Sequence, residues 1–506
     1  MRSFPLAVRP IAAFLLAAAL LPASVVAQNA AGAAAPRTDE QKQYRYAMED
    51  TDQKIAAEIK AHSELVKNLE YLTTNIGPRL TGSKNMQAAS DWTLKRFRDY
   101  GIDAHLESFT IPHGYARGID SAAITSPVQH IVPIHAGGWS KPTSGEMTGK
   151  VVVIDSDADP STWKGKLKGA IVMMAKPADI PTEEAENAYD AVVTPFHGVP
   201  PHSGNGVNPY SSRMRIYQQL TQEGVGVLLL DSGKTDNLFN MGGIGRGYQE
   251  STFPAGFIAH EDYALIYRLA KTGPVNMTVN LTGKITPDAQ PAAITVGEIK
   301  GSQFPDERVI IGGHLDSWDL GQGALDNGTG AMAVLEAART LKALGLKPKR
   351  TITFILFVGE EQGSIGAHKF IENHAAEVPK IDAVLVHDTG TGKVLSIALE
   401  NLYETATPMA EIYQPILEVF DLQPLSTRYF GQSDHIPFYD KGVPAYFCIQ
   451  SPAHYREAHH SQTDTFDKVI PDEINQGAGV LASWAWNVSD YPKPLPHHAE
   501  RERDMP

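Results

Sequence analysis

From residue 293 onward, short apolar segments typical of β-strands alternate with longer segments of helical periodicity. The predicted strands are Val309–Gly312, Thr351–Val358 and Ala383–Val386, and the predicted helices are Thr329–Leu344 and Ser364–His374. Strands separated by helices of this length predict a mainly parallel sheet covered by helices on both faces. Ligands bind such sheets beyond the carboxyl ends of the strands. We therefore expect functional side chains just after the apolar segments.

Ionisable side chains do follow these segments. They are His314, Asp316, Asp326, Glu360, Glu361 and Asp388, and a His459–His460 pair follows later in the chain. Considered singly, each has an ordinary structural explanation: a carboxylate that fixes a histidine tautomer, a solvated glutamate pair, an Asp-Asn-Gly turn or a packed histidine pair. Considered together, they bring carboxylates to neighbouring strand ends of one sheet, where keeping them ionised requires a nearby cation.

The charges of these side chains match two divalent cations. The predicted ligands are His314, Asp326, Glu361, Asp388 and His460. Their carboxylates, together with one hydroxide shared between the ions, balance two Zn²⁺, and zinc accepts oxygen and nitrogen ligands without sulfur. Glu360 is then left over; in an extended segment it points away from Glu361, which leaves it free to act as general base. Two ions about 3.5–4 Å apart lower the pKa of a shared water toward neutrality.

Composition excludes several other classes of protein. A chain of 506 residues is longer than one compact core accommodates, so two or three domains are expected. The formal net charge of −14 argues against nucleic acid or an anionic membrane as the main partner. The single cysteine, Cys448, excludes an internal disulfide framework and a cysteine-rich zinc module.

The amino terminus is typical of an export signal. A basic start precedes an almost wholly apolar segment, Ile11–Val26, and the small Ala27 suits a cleavage site. The alternative is a membrane anchor, but the segment is short for a span and is interrupted by Pro22. We therefore expect a signal peptide at residues 1–27, a secreted or periplasmic protein, and no stable membrane insertion once the signal is removed.

The rest of the chain divides into four segments. Residues 28–117 and 285–495 are predicted to form one domain that carries the metal site, residues 118–284 an insert, and residues 496–506 a tail. In the insert, short apolar segments alternate with turns rich in Gly, Pro and Asp, which predicts a separate, mostly β domain with one helix near Arg213–Glu223.

The first domain segment begins with helical periodicity. One helix is predicted from Asp52 through Leu72, ending before Gly77 and Pro78. A second helix is expected from about Asn85 to Tyr100, closed by Gly101, and a strand follows at Ala104–Ile111.

Three stretches resemble the co-catalytic dizinc exopeptidase family, which includes bacterial leucine-type aminopeptidases and carboxypeptidase Q. They are Ile76-Gly-Pro-Arg-Leu-Thr-Gly-Ser83, the run from His314 to Asp326, and Glu360-Glu361-Gln-Gly. The His314 run and the Gly-Ser-Lys-Asn stretch at 82–85 are most similar to the carboxypeptidase Q branch. The resemblance spans nearly the whole chain after the signal. It implies the zinc exopeptidase fold, a mainly parallel mixed α/β sheet between helices, and the insert resembles the protease-associated domain of several members.

The resemblance also implies a role for each side chain. Asp326 bridges two zinc ions, His314 binds one, Glu361 and Asp388 take one each, His460 binds the same ion as Glu361, and Asp316 orients His314. His460 is preferred to His459 because it stands four residues before Asp464, as in the His-x-x-x-Asp-Thr spacing of the family. A cis peptide between Asp326 and Asn327 is implied as well.

Substrate-binding residues are less clearly marked. Some family members have an oxyanion-binding Tyr near the position of Ser433-Asp434-His435, where this chain offers several aromatics. Tyr455 is the candidate, and the alternative is an ordinary Tyr with a packed ring and a wet hydroxyl. Asp434 and His435 either line the pocket or cap a turn.

These observations predict an exported dizinc metallo-exopeptidase. It is expected to hydrolyse bonds at the ends of short peptides, or to split dipeptides, by means of a hydroxide shared between the metals and Glu360 as general base. The alternatives are a carboxypeptidase Q-like dipeptidase rather than an aminopeptidase, a glutaminyl cyclase-like transferase with one zinc, and a binding protein that has lost its metals. All five ligands are present, which disfavours the last. A homodimer is implied by the resemblance alone.

Overall fold

The computed structural model describes residues 39–154, 162–174, 176–182, 193, 209–244 and 246–501. The predicted signal peptide at 1–27 and residues 28–38 lie outside these residues. Within the described part of the chain, no helix has the length and apolar composition needed to cross a membrane.

The described residues contain strands that form two large sheets and one small one. The strands are β1 Asp103–Ile111, β2 Gly114–Ala116, β3 Ser121–Ser126, β4 His130–Val132, β5 Ile134–Ala136, β6 Met147–Ile154, β7 Ile171–Met174, β8 Val227–Asp231, β9 Ala255–Ile258, β10 Asn276–Asn280, β11 Lys284–Thr286, β12 Gln290–Ile299, β13 Phe304–His314, β14 Arg350–Phe357, β15 Ile381–Val386, β16 Val394–Ala398 and β17 Ala445–Gln450.

Helices surround these sheets. They are α1 Asp39–His62, α2 Leu65–Tyr71, α3 Lys84–Asp99, α4 Pro209–Glu223, α5 His260–Thr272, α6 Thr329–Ala343, α7 Ile365–Asn373, α8 Ala406–Phe420, α9 Ile436–Asp440, α10 Tyr455–Ala458 and α11 Pro471–Asp490.

The first large sheet has the order β1-β12-β14-β13-β15-β17-β16. Its centre, β14-β13-β15-β17, is parallel, and β1, β12 and β16 pair antiparallel at the edges. Every residue of β14 and β15 is buried, as expected for strands covered on both faces. The predicted α/β sheet with a parallel centre is therefore confirmed.

Helix α6 illustrates why the sheet is so thoroughly covered. All but its last two residues are buried, because it packs against β13 and β14 and against the neighbouring helix α11, which contacts the same strands. The apolar face of this helix is therefore broader than the single stripe of a surface helix. Because α6 begins directly after the Asp326 segment, its packing anchors one side of the predicted metal site.

The amino-terminal helix prediction was partly wrong. The apolar residues that recur about once per turn in this segment, Ile55, Ile59, Leu65, Leu69 and Leu72, are all buried, but α1 ends at His62 and α2 begins at Leu65. The Ser63 hydroxyl accepts a hydrogen bond from Leu65 N, and the Glu336 carboxylate of α6 accepts one from Glu64 N. These two bonds satisfy amide groups at the start of α2, so the chain begins a new helix while the apolar period continues.

The second large sheet lies within the predicted insert. Its order is β4-β3-β10-β6-β7-β8-β9-β5, and its centre, β6-β7-β8-β9, is also parallel. Separate apolar clusters pack on it, and helix α5 was not predicted from the sequence. The insert therefore has its own sheet and core, whereas its assignment as a protease-associated domain stays a prediction.

The two sheets are joined by a mixed aromatic cluster. Trp139, Phe239, Met241 and Tyr248 from the insert pack with residues that include Leu80 and Trp318 from the first domain. Trp139 lies edge-on to both Tyr248 and Trp318, with ring centroids 4.7 and 6.4 Å apart. Because Trp318 belongs to the loop after β13, this cluster places the insert directly beside the predicted metal site.

Candidate metal centre

The carboxyl ends of three neighbouring parallel strands deliver the predicted side chains. His314 is the last residue of β13, Glu360 and Glu361 follow β14, and Asp388 follows β15. Since these strands are adjacent in the order β14-β13-β15, their ends meet at one edge of the sheet. His460 arrives from a distant loop after α10.

The conformation expected for the two glutamates was wrong. Glu360–Gln362 form a single 3₁₀ turn rather than an extended segment. Gly359 and Gly363 flank the turn with φ of +90° and +105°, a conformation that is strained for other residues and natural for glycine. The two carboxylates still diverge, because successive residues of a 3₁₀ turn are about 120° apart.

Asp326 lies between two histidines. His314 Nε2 is 3.3 Å from Asp326 Oδ1 and 3.1 Å from Asp388 Oδ1. On the other side, His460 Nε2 is 3.6 Å from Asp326 Oδ2 and 2.9 Å from Glu361 Oε2. Each oxygen of one buried carboxylate therefore faces a different imidazole, which is the arrangement that a bridging ligand requires.

Three overlapping groups of side chains offer metal-ligand atoms within 4.8 Å of one another. They are His314–Glu360–Asp388, His314–Asp326–Glu361 and Asp326–His459–His460. The structure thus brings together all five predicted ligands and Glu360. It adds His459, whose ring stacks on that of His460 with centroids 3.8 Å apart.

The donor set fits divalent zinc. Asp326 Oδ2 and Glu361 Oε1 are buried and have no hydrogen-bond partner among the described residues. Unpaired buried carboxylate oxygens are costly unless a cation or a proton satisfies them. The atoms offered are carboxylate oxygens and imidazole nitrogens, which zinc binds without sulfur.

The electrostatics of the group reflect this crowding of acids. Burial and the neighbouring Asp326 raise the pKa of Glu361 to about 7. Burial disfavours the charged ring of His314, but Asp388, Asp316 and Asp326 outweigh it and raise the pKa of that imidazole well above its usual value. Protons on these groups and divalent cations compete for the same negative charge, so metal binding here is expected to release protons.

Comparison with known proteins identifies the family. A model described as peptidase family M28 matches residues 295–485. Mouse carboxypeptidase Q is 30% identical over 451 residues, which cover 87% of this chain and 89% of that protein. The human protein of the same name is 29% identical over 455 residues, with the same coverage. The chain belongs to peptidase family M28.

Solved structures agree with this assignment. A peptidase M28 precursor from Shewanella amazonensis SB2B is similar with a TM-score of 0.75 and 25% identity, covering 91% of this chain and 99% of that one. The zinc aminopeptidase BSAP from Bacillus subtilis shares the fold, with a TM-score of 0.61, 18% identity and coverage of 83% and 93%. The chain is therefore a zinc-dependent metallopeptidase.

The support of Asp326 in this M28 chain comes from residues that the sequence did not assign. Asp464 accepts hydrogen bonds from Leu325 N at 2.6 Å and Asp326 N at 3.3 Å. The fully buried Arg79 donates to Leu315 O and Gly323 O, both at 2.6 Å. Both residues lie in motifs that carry the M28 resemblance. Their place in those motifs is the only sequence feature that could have indicated a supporting role.

The segment around Asp326 has the backbone that the resemblance implied. The Asp326–Asn327 peptide is cis. The Asn327 amide donates to His387 O at 2.8 Å and accepts from Gly330 N at 2.9 Å, so it connects the segment both to β15 and to α6.

Asp316 contacts His314 through its main chain. His314 Nδ1 lies 3.0 Å from the backbone oxygen of Asp316, whereas the nearer carboxylate oxygen is 3.6 Å away. The carboxylate instead accepts from the Thr81 hydroxyl at 2.9 Å. Asp316 therefore fixes the orientation of the His314 ring mainly through its main chain, while its side chain ties the loop to the amino-terminal segment.

The weaker substrate candidates take up different positions. Tyr455 packs against His459 with centroids 5.2 Å apart and comes close to Gly390, so it lies beside the metal group. Asp434 is fully buried, and both of its carboxylate oxygens lack a hydrogen-bond partner among the described residues. His435 is also fully buried, 3.7 Å from Glu400. Their substrate roles stay predictions.

Two further contacts were missed by sequence reasoning. Ser433 donates to Asp388 Oδ2 at 2.5 Å, on the side of that carboxylate opposite to His314. Tyr248 of the insert is buried within the aromatic cluster, where burial and the acids Asp316, Glu361 and Glu360 raise the pKa of its phenol well above the usual value. Sequence spacing predicted neither the Ser433–Asp388 hydrogen bond nor the position of Tyr248 near these acids, because the partners are far apart in the chain.

Proposed function

We propose that this M28 peptidase is an exopeptidase that cleaves short peptides at their ends, or splits dipeptides, with two zinc ions and Glu360 as general base. The observation that carries the proposal is the position of Asp326, each of whose oxygens faces a different histidine. One ion would be held by His314, Asp388 and Asp326, and the other by His460, Glu361 and Asp326.

Zinc bound in such a site supplies Lewis acidity, which polarises a carbonyl group and makes water more acidic. Glu360 supplies the proton transfers. Its carboxylate lies within 4.8 Å of ligand atoms of His314 and Asp388, so it stands beside the metal group. Burial raises the pKa of Glu360, and Asp388 and Asp434 act in the same direction. A carboxylate in this position can accept a proton from water and return it to the leaving amine.

Two classes of exopeptidase fit this proposal: a dipeptidase, and an aminopeptidase that acts on longer peptides. The likeness to carboxypeptidase Q extends over nearly the whole chain, at 30% identity to the mouse protein, which favours a dipeptidase of that type. The aminopeptidase BSAP is more distant, at 18% identity. We therefore place dipeptide hydrolysis ahead of aminopeptidase activity on longer peptides.

The test combines metal analysis with a substrate panel of dipeptides, aminoacyl reporters and amino-blocked peptides. The proposal predicts close to two zinc ions per chain and cleavage of unblocked substrates at a terminal bond. Cleavage of blocked peptides in mid-chain would reject the exopeptidase assignment. One zinc per chain with cyclisation of a peptide that begins with Gln would indicate a glutaminyl cyclase-like enzyme instead.

Export is part of the proposal. It is supported by the basic start, the apolar segment Ile11–Val26 and the small residues before position 28. Expression of the full-length chain with its first residues intact, followed by cell fractionation and amino-terminal sequencing, tests it. A mature protein that begins near Gln28 and lies outside the cytoplasm is expected, and an uncleaved cytoplasmic product would contradict it.

A further inference from the structure

His460 has a backbone conformation that needs external support. Its φ is +57°, in the left-handed region that residues other than glycine seldom adopt. Such conformations persist where surrounding contacts determine them. The side chain is the only one of the five proposed ligands that comes from a loop remote from the β13–β15 edge. The contacts that hold this loop therefore decide whether its imidazole reaches Glu361 and Asp326.

Several of those contacts come from the insert. We define the strap as residues 234–241, the segment of the insert that follows β8. Lys234 Nζ donates to the backbone oxygen of Arg456 at 2.8 Å and also to that of His459. Met241 N donates to the backbone oxygen of His460 itself at 2.8 Å. The carbonyl groups on both sides of the His460 α-carbon are thus held by donors of the strap.

The strap is bound to the same loop at a second point. Phe239 N donates to Gln462 Oε1 at 3.0 Å, and the Gln462 amide donates to Asn237 O at 3.1 Å. The side chains of Phe239 and Met241 are buried in the aromatic cluster that joins the two domains. One side of the strap is therefore anchored in the aromatic cluster. Its other side can then constrain the loop that carries His460.

The loop also has contacts within its own domain. The Ser461 and Thr463 hydroxyls donate to Glu457 O, and Lys468 Nζ lies 2.9 Å from Glu457 Oε1. Backbone hydrogen bonds from His459 N to Tyr455 O at 2.7 Å and from Ser461 N to Ala458 O at 2.8 Å hold the amide groups on either side of His460. The strap adds the hydrogen bonds to the carbonyl oxygens of His459 and His460.

We propose that Lys234 is a positioning residue for the metal centre, through which the insert holds His460 in the geometry that binds the second ion. The proposal rests on the metal role of His460 in the proposed function. It assigns the insert a part in forming the metal centre, because the ligand loop is held by a side chain of a different domain. Supporting residues of this kind typically change metal affinity by about 10- to 100-fold when removed.

Electrostatic repulsion alone predicts the opposite change in zinc affinity when Lys234 is replaced. An ammonium group near the site repels Zn²⁺, so removing it without any loss of geometry would tighten zinc binding. Removal of the hydrogen bonds to Arg456 and His459 frees the loop and weakens binding. The direction of the change in zinc affinity therefore separates positioning from electrostatics.

The test uses the full chain with Lys234→Met, which keeps much of the apolar stem and removes the donor. Competition with a zinc chelator should show one binding step weakened about 10-fold or more, and the other unchanged. Lys234→Arg, which keeps a cationic donor, should restore most of the affinity. Lys176→Met is the matched control, because Lys176 is an exposed lysine of the insert that pairs with Asp179 three residues away. Unchanged or tighter zinc binding in Lys234→Met would overturn the proposal.

Hydrogen exchange of the metal-free protein gives an independent measurement. Faster exchange of the amides in residues 456–462 is expected in Lys234→Met and not in Lys176→Met. This result would stand even if the wild-type enzyme cleaved none of the test peptides, so the proposed function and this proposal can fail separately. Equal exchange in the two variants would overturn the positioning role.

A third variant covers the case in which Lys234→Met does not fold. Gln462→Ala removes the second contact of the strap from the opposite side, and it should weaken the same zinc step to a smaller degree. Equal weakening of both zinc steps, or none, would show that the strap joins the domains without positioning His460.

Discussion

The two large sheets have the same plan and different chemistry at their carboxyl edges. Each has four adjacent parallel strands flanked by antiparallel neighbours. Each places an acid next to a histidine at that edge, Asp326 with His314 in one and Asp231 with His260 in the other. Sheet topology alone would therefore predict a functional site at both edges.

Hydrogen bonding separates the two. In the insert, Asp231 Oδ1 accepts from Gly233 N and Asp231 Oδ2 from Ala178 N, both at 2.9 Å, and His260 Nδ1 lies 3.1 Å from the same carboxylate. In the first sheet, Asp326 Oδ2 and Glu361 Oε1 are buried without a partner among the described residues. The acid in the insert is satisfied by the protein, whereas these two oxygens of the first sheet are left for a cation or a proton to satisfy.

The largest expected effect comes from replacing the central acid. In Asp326→Asn, the site loses the charge between its two histidines, and we expect loss of zinc together with loss of peptide cleavage. A Lewis-acid contribution of several kcal/mol corresponds to a decrease in rate of about 10³-fold or more. Metal analysis and the dipeptide assay measure the two effects.

Asp306→Asn is the matched control for this change. Asp306 lies at the other end of the same strand, β13, where its exposed side chain is 3.7 Å from Lys380 Nζ. Zinc content and activity should stay at wild-type values. If Asp326→Asn retained both zinc ions, the contrast between the two sheet edges would lose its basis.

The next largest effect distinguishes the general base from the metal ligand within the 3₁₀ turn. Glu360→Gln should keep close to two zinc ions and lose about 10²- to 10⁴-fold in kcat, the usual contribution of a general base. The neighbouring Glu361→Gln should lose zinc, because Glu361 is the acid 2.9 Å from His460 Nε2. Near-normal turnover in Glu360→Gln would contradict its role as general base, and equal zinc contents in the two variants would contradict the division of roles.

A third substitution asks whether an unpartnered buried acid always indicates a cation. Asp52 of α1 is fully buried; Asn487 donates to its Oδ2 at 3.0 Å, and its Oδ1 has no partner among the described residues. Burial raises the pKa of Asp52 from 3.8 to about 7, against the hydrogen bond from Asn487. No other acid or histidine forms a metal-ligand group with it in the described part of the chain, so a proton is expected to neutralise it.

Asp52→Asn should therefore change how stability depends on pH. Because the folded-state pKa lies above the unfolded value, the contribution of Asp52 to stability is fully present below about pH 4 and is lost as the pH rises to about 7. Relative to wild type, the Asn variant should be more stable by about 2–4 kcal/mol at pH 8 and nearly equal at pH 4. Urea unfolding at both values measures the difference, and a pH-independent difference would show that Asp52 does not titrate in this range.

Much of the site could be predicted from sequence because its residues directly follow segments that are recognisable as strands. Apolar segments such as Thr351–Val358 locate strand ends within a residue or two, and the residues that follow them meet because parallel strands share an edge. The roles of Arg79 and Lys234 could not be predicted, since each depends on contacts more than 200 residues away. The break between α1 and α2 was missed for the same reason: Ser63 donates to Asn475 and Glu64 N to Glu336, across the fold.

The smallest effect belongs to the insert edge. Asp231→Asn replaces one acceptor oxygen with an amide nitrogen, so either Gly233 N or Ala178 N loses its hydrogen bond. The cost is about 1 kcal/mol if the partly buried Gly233 N is left unpaired and smaller if the exposed Ala178 N bonds to water instead, so the unfolding midpoint in urea should fall only slightly. Zinc content and turnover should not change, because this acid has no role in metal binding if the comparison between the two edges is correct. A loss of zinc in Asp231→Asn would mean that the two edges are not chemically distinct, and that satisfied hydrogen bonds at a sheet edge do not distinguish a structural acid from a metal ligand.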